Sequence, residues 1–488
     1  MPRARAARHR AFRRLWLCAI VAAMNLASGI TASAADGGTA AAAADTSSAA
    51  AQLHALFDEH WDTLLRESPS YASFVGDHRF DDRFDDISPA AVQRRRAQHS
   101  DMMRRLRAID AAMLAEPDRV SREVLLYELQ ARQRIDRLYG TLALEDNPLP
   151  VTQMDGPQHW LPMLAQLTRF ASVADYDNYL KRLAALPAYV EQLTAMLQTG
   201  IDSGWMPPAA AMQRVPQQFD ALAAGDPAAH PLYAPFLTVD AEIDGADKAR
   251  LQQAARAVIT AEVAPTFARL REFLRERYLP AATTTTAAAA LPGGPAYYAA
   301  RLQQQNTTTL SAQQIHDIGL REVARIEAEM ERVRARSGFA GDMAAFRAHL
   351  RSDPQFFAQS EAELLAAFRD IAKRVDPLLP GLFRELPRLP YGIRAMTKEQ
   401  GDNAEHYVPG AADGSRAGWF EANANNLRRT ARWQMTTLLL HETVPGHHLQ
   451  IARAQEVESL PAFRRNAFFV ADGEGWALYA EALGERMG

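Results

Sequence analysis

The chain has 488 residues, with 54 Lys+Arg against 58 Asp+Glu and a formal net charge of −4, which excludes a strongly basic nucleic-acid binder. At 48% hydrophobic and 23% charged it can bury a large core, which excludes wholesale disorder and collagen-like repeats. Its single cysteine, Cys18, excludes an internal disulfide framework and a thiolate metal cage.

Six arginines, Arg3, Arg5, Arg8, Arg10, Arg13 and Arg14, precede the apolar run 15–24, and Ala32-Ser33-Ala34 offers small residues for cleavage. This is the pattern of a secretory signal peptide over 1–34. The run falls short of the roughly 20 apolar residues a membrane helix needs, and no later stretch qualifies. A soluble, periplasmic or secreted mature protein is expected, with a net charge of −10 once the six arginines leave. Cys18 follows Leu17 instead of a small residue, which disfavours a lipid-anchor site, and the residues around Arg13-Arg14 match a twin-arginine signal poorly.

Residues 35–52 form an Ala/Ser/Thr/Gly tract with few large apolar groups, so a flexible leader is predicted there. Leu53, Leu56, Phe57, Trp61 and Leu64 then recur at spacings of three and four, one face of a buried helix. Tyr179, Leu183, Leu186, Val190, Leu193 and Leu197 predict a second helix over 176–197, with Pro187 expected to kink or split it. Stretch 281–295 carries a threonine run, an alanine run and Pro292-Gly293-Gly294-Pro295, and predicts a surface loop. It divides an N-terminal helical half, 53–290, from a second half, 291–488.

Two helices of the second half announce their starts. Ser311 with Gln314 and Ser360 with Glu363 are capping boxes. The first opens an expected inner face of Ile315, Ile318, Val323, Ile326 and Met330, and the second one of Leu364, Phe368, Ile371 and Val375. Alternating strand patterns are scarce, so the fold class is mainly α.

The chemistry concentrates in His441-Glu442-Thr443-Val444-Pro445-Gly446-His447-His448. A helix from about Arg432 should bury Trp433, Leu439 and Leu440 and deliver His441 and Glu442 at its end. The common zinc-peptidase spacing puts two histidines four apart, about 400° and about 6 Å along a helix, where both reach one ion. Here His441 and His447 are six apart, about 600° and about 9 Å on an unbroken helix, too far for one ion. Pro445 cannot pack its ring against the carbonyl of His441, and Gly446 frees the backbone, so a local bulge can return an imidazole toward His441. His447 is the preferred second ligand and His448 the alternative.

A catalytic zinc needs a third protein ligand and an open position. Downstream, Gly473-Glu474-Gly475-Trp476 should start a helix after Gly473, with Glu474 in its first turn. Glu474 is the candidate ligand; Glu481 is the alternative, better suited to a supporting carboxylate. Glu442 would take a proton from the attacking water and pass it to the leaving amine, which is peptide hydrolysis. A His-Glu pair alone is weak, and adjacent histidines more often cap a helix or sit on a wet surface. The apolar helix, the Pro-Gly break and the downstream Glu-Gly-Trp together point to a metal. His159, His316 and His406 have no partner spacing and are read as structural.

These two segments resemble the signature of the bacterial family known as domain of unknown function 885, which is similar to zinc metallopeptidases of the thermolysin-like superfamily. The resemblance extends upstream through Tyr297-Tyr298, 307–330 and 407–423. It implies a large helical fold with a deep channel, a Zn2+ ion on His441, His447 and Glu474, and Glu442 as general base. It also places an edge strand for substrate pairing at Gly418-Trp419-Phe420-Glu421-Ala422-Asn423. Family members continue well beyond the Glu-Gly-Trp segment, whereas this chain stops 14 residues past Glu474, which implies truncation and missing oxyanion donors. The expected function is a secreted zinc-dependent peptidase acting on short peptides, with no nucleic-acid or membrane partner. The alternative is a non-catalytic periplasmic metal-binding or scaffold protein.

Overall fold

The computed structural model describes residues 38–144, 147–398 and 403–488, with side chains from residue 48 onward. The expected signal peptide, 1–34, lies outside the described residues. Residues Ala49–Gly488 form one compact unit, whose architecture is given below. The division expected near residue 290 falls inside it.

Helix α1 (Gly38–Glu67) begins within the stretch predicted as a flexible leader. Alanine is the strongest helix former, and that preference does not depend on finding something to bury. Further along, α1 packs Leu53 and Phe57 against α2 (Pro89–Ala108) and α3 (Glu116–Tyr139) through Met103, Leu106, Leu125 and Leu129. Phe463, from the distant short helix Ala462–Arg465, joins this cluster and ties that segment to the bundle.

On α2, His99 is half-buried, and loss of solvent, helped by Arg132, His60 and Arg95, pushes it down to about 3. The folded protein resists a proton that the unfolded chain accepts near its ordinary value. Stability from this source is complete above about pH 6.5 and is lost as the pH falls from there toward the folded value. A His99→Gln variant should therefore show a shallower fall in Tm between pH 7 and pH 5 than the parent, measured by calorimetry.

Helix α4 (Val173–Ser203) runs through Pro187 without a break, so the predicted split does not occur. An interior proline costs about 3 kcal/mol. The buried Tyr179, Leu183, Leu186, Val190, Leu193 and Leu197, packed on α5 (Gly245–Val258) and α6 (Ala264–Phe273), offset it. Helix α7 (Gly294–Asn306) packs back on the first half: Tyr297 lies against Trp205 at 5.1 Å, and Tyr127 Oη donates to Gln303 O at 2.7 Å.

Helix α8 (Ala312–Ser337) has its full capping box at Ser311 and Gln314. Its expected inner face is not inward: Ile318, Val323 and Ile326 are exposed, because among the described residues only the neighbouring helix Met343–Ser352 makes substantial contact with it. Helix α9 (Glu361–Val375) does bury Leu364, Phe368, Ile371 and Val375. Its capping box is half-made, since Ser360 Oγ accepts from Glu363 N–H while the Glu363 carboxylate accepts from Gln359 instead.

Helix α9 supports a small sheet of β1 (Tyr391–Ala395), β2 (His406–Val408) and β3 (Gly418–Ala422), in the order β1-β3-β2. Strand β3 pairs in parallel with β1 and antiparallel with β2. Both of its hydrogen-bonding edges are used, so the expected substrate-pairing edge at 418–423 is instead the centre of the sheet. The Phe368 and Phe420 rings meet at 4.9 Å and join the sheet to α9. The same core takes Leu439 and Leu440 from α10 (Arg432–Glu442), so the fold is mainly α with one small sheet beneath the site-bearing helix.

Candidate metal centre

Helix α10 ends at Glu442, and the chain leaves helical geometry at Thr443 (φ −115°, ψ −113°) and Gly446 (φ −79°, ψ −130°). Helix α11 (His447–Glu456) begins immediately afterwards. Thr443 closes the break: its hydroxyl donates to Leu439 O at 2.7 Å, and its carbonyl accepts from His448 N–H at 3.1 Å. The bulge brings the His441 and His447 rings to a centroid separation of 4.8 Å, mutually perpendicular. Trp433 departs from expectation, being 49% exposed at the start of α10 while Leu439 and Leu440 are buried.

Helix α12 (Val470–Met487) supplies the other half. It begins before Gly473, not after it, and Gly473 is the place where the Phe468 ring lies on the helix backbone: a Cβ there would meet Phe468 Cζ at 2.2 Å. Glu474 Oε2 stands 3.3 Å from His441 Nε2 and 3.8 Å from His447 Nε2. Two turns later on the same face, Glu481 Oε1 lies 2.8 Å from His441 Nδ1. Between them, Trp476 Nε1–H donates to Pro445 O at 2.8 Å and pins the bulge to α12.

One donor atom from each of His441, His447 and Glu474 falls within 4.8 Å of the others. Tetrahedral zinc with N and O bonds of about 2.0–2.2 Å holds its donors about 3.3–3.6 Å apart, so small side-chain adjustments satisfy an ion. A carboxylate can only accept, so Glu481 fixes the proton of His441 on Nδ1 and leaves the Nε2 lone pair facing Glu474 and His447. The donor set therefore fits zinc. His448 turns the other way: it is buried, its Nδ1 meets the Tyr407 hydroxyl at 2.8 Å, its ring lies 4.8 Å from that of Tyr391, and burial pushes it down to about 4. Of the two adjacent histidines, His447 is the one that joins His441.

Glu442 is buried beside the cluster without belonging to it. Burial pushes its carboxyl up to about 7, with Glu474 and Glu405 adding to the effect and His441 and the Tyr407 backbone N–H opposing it. A divalent cation on the neighbouring donors would draw it down again. Burial likewise pushes His447 down, partly opposed by Glu474, which keeps the imidazole neutral as a ligand must be.

The cluster sits between two cavities that share His441 and Glu442. One, of about 740 Å³, also meets His447, Glu474, Tyr71, Phe74, Phe468, Arg464 and Arg465. The other, of about 830 Å³, is lined by Glu405, Trp433 and Glu481. His406 and Tyr407 of edge strand β2 line the first cavity, although spacing alone assigned His406 a structural role. His159 does serve structure, with Nε2 at 3.0 Å from Gln153 O, and His316 is exposed on α8. Nothing in the linear spacing of Tyr407, Arg464 and Arg465 marks them as neighbours of the cluster.

A solved structure described as "the putative lipoprotein from Colwellia psychrerythraea" is similar over 90% of this chain and 78% of its own, with a TM-score of 0.81 and 23% identity. The likeness is one of fold. No curated protein matches the chain. The family described as "Bacterial protein of unknown function (DUF885)" matches residues 69–488, a span that holds the bulge, the Glu474 helix and both cavities, and the chain is a member of that family.

Proposed function

We propose that the chain is a zinc-dependent peptidase that hydrolyses short peptides outside the cytoplasm, in the manner of the thermolysin-like enzymes its motifs resemble. The observation that carries this is the convergence of His441, His447 and Glu474 within 4.8 Å, with Glu442 beside them and Glu481 on His441 Nδ1. Zinc bound there would act as a Lewis acid and activate a water for attack on a peptide carbonyl. Glu442 takes the proton that this water gives up and delivers it to the amide nitrogen as the C–N bond breaks. One water is consumed, and a carboxyl group and an amine are released. The Tyr407 N–H holds the Glu442 carboxylate in place, and Glu481 holds the His441 ring.

A cavity of about 740 Å³ suits a peptide of a few residues better than a folded chain. An extracytoplasmic location is supported by the basic n-region, the short apolar run and Ala32-Ser33-Ala34. The description of the similar structure as a "putative lipoprotein" agrees with it.

The purified protein should bind about one equivalent of zinc, cleave members of a mixed short-peptide library, lose that activity to a chelator and regain it with zinc. Metal analysis and mass spectrometry of the products make the test. Zinc bound at one equivalent with every peptide left intact would favour the non-catalytic metal-binding alternative.

A further inference from the structure

We infer that the cavity of about 740 Å³ beside Glu474 receives the C-terminal end of the peptide, with Arg464 and Arg465 taking its free carboxylate; this rests on the peptidase reading above. The cavity opens directly onto the cluster, since His441, Glu442, His447 and Glu474 all line it. Its wall is otherwise largely apolar, with Tyr71, Phe74, Ile451, Leu460 and Phe468. Such a wall accepts an apolar side chain, and the neutral amides on it, Gln450, Gln455 and Asn466, bring no charge to match a carboxylate.

The two arginines bring permanent positive charge to it. Both are half-buried, at the end of the short helix Ala462–Arg465 that Phe463 anchors in the α1–α3 bundle. Among the described residues no carboxylate pairs with either. Arg464 donates to Ser121 Oγ at 3.3 Å, and Arg465 Nε is buried without an acceptor. A half-buried guanidinium with no carboxylate partner still carries its full charge, and a carboxylate met by its terminal amino groups satisfies it better than any neutral group. Three acids share the cavity: Glu442 and Glu474 belong to the site already described, and Asp472 accepts from Gln450 Nε2 at 3.3 Å.

The cavity across the cluster has the opposite character, with Glu405 and Glu481 on its wall and the cation Arg429 already paired to Glu405 at 3.4 Å. Acids line both cavities, but a peptide laid across His441 and Glu442 finds arginines without carboxylate partners on one side and, on the other, an arginine already paired. This sets its direction, with the carboxyl end toward Arg465. The inferred activity is removal of a short C-terminal segment, with preference for apolar side chains in it.

The test compares a peptide that the zinc-loaded protein cleaves with its C-terminal amide. The acid should be favoured in kcat/KM by at least about 30-fold, mostly through KM, the range expected when one side of a desolvated charge pair is removed. Arg465→Gln should raise KM for the acid by a similar factor and leave the amide unchanged; Arg465→Lys, keeping charge without the fork, should fall between. Calorimetry of acid and amide peptides on a Glu442→Gln variant reads the same selectivity without turnover. Equal cleavage of acid and amide by an active protein overturns the inference and leaves the peptidase reading intact. Acid-selective binding with no hydrolysis supports the carboxylate site and overturns the peptidase reading. Neither hydrolysis nor selective binding overturns both.

Discussion

A Glu442→Gln variant is expected to lose peptide turnover by about 100- to 10,000-fold while still binding about one equivalent of zinc. The two halves of this result come from different features of the site. Metal retention follows because the three converging donors are His441, His447 and Glu474, and Glu442 is not one of them. Loss of turnover follows because an amide of the same shape neither takes a proton from the attacking water nor carries one to the leaving nitrogen. Gln fills the volume of the buried Glu442 side chain, so the fold should be undisturbed. Zinc content by atomic emission and steady-state hydrolysis of one good peptide decide the matter. Turnover within threefold of the parent would remove Glu442 from the mechanism; a variant that had lost its zinc would mean that the carboxylate supports the metal instead.

Much of this site could be read from residue order because its geometry is local. The impossibility of one ion bridging residues six apart on a straight helix, together with Pro445-Gly446 between them, leads directly to the observed bulge and the meeting of His441 with His447. Glu474 and Glu481 lie seven apart on one helix, so a face carrying both follows from helical periodicity alone. The choice of His447 over His448 was harder to read. It depends on Tyr407 and Tyr391, which lie in strands far away in the chain and make a pocket for His448.

Features set by distant packing are not legible in residue order for the same reason. The face of α8 has the periodicity of a buried helix, yet periodicity reports only that an apolar stripe exists, and Ile318, Val323 and Ile326 are exposed. Trp433 belongs to an apolar pattern but lines the second cavity, while Met435, two residues on, is buried in the core. Strand β3 reads as a strand, but whether it lies at an edge or at the centre is decided by β1 and β2, which pair with it from both sides. Arg464 and Arg465 look like any exposed pair in a linear reading; only their placement by Phe463 in the bundle core brings them to the cavity.

The two glycines of the signature segments should respond in opposite ways to the same substitution. A Cβ on Gly446 would stand 1.9 Å from the His441 carbonyl oxygen and 2.4 Å from that of Leu440. Both are backbone atoms, so no side chain can swing aside, and the turn itself must open. Opening it separates His447 from His441 and strains the Trp476 bond to Pro445 O. Gly446→Ala should therefore weaken zinc binding by at least about 100-fold, beyond the roughly 10- to 100-fold typical of losing a supporting carboxylate such as Glu481. It should also lower stability by about 1–3 kcal/mol as an overpacked site. Gly475 lies within α12 between Glu474 and Trp476, and a Cβ there meets nothing within 4 Å. Gly475→Ala should raise stability by about 0.5–1 kcal/mol through helix propensity and leave zinc affinity unchanged. Competition with a chromogenic chelator and thermal unfolding of the metal-free proteins measure both effects. If the two variants bound zinc equally well, close approach of the 446 backbone to the His441 carbonyl could not be what holds the imidazoles together, and the pairing of the rings would have to come from α12 alone.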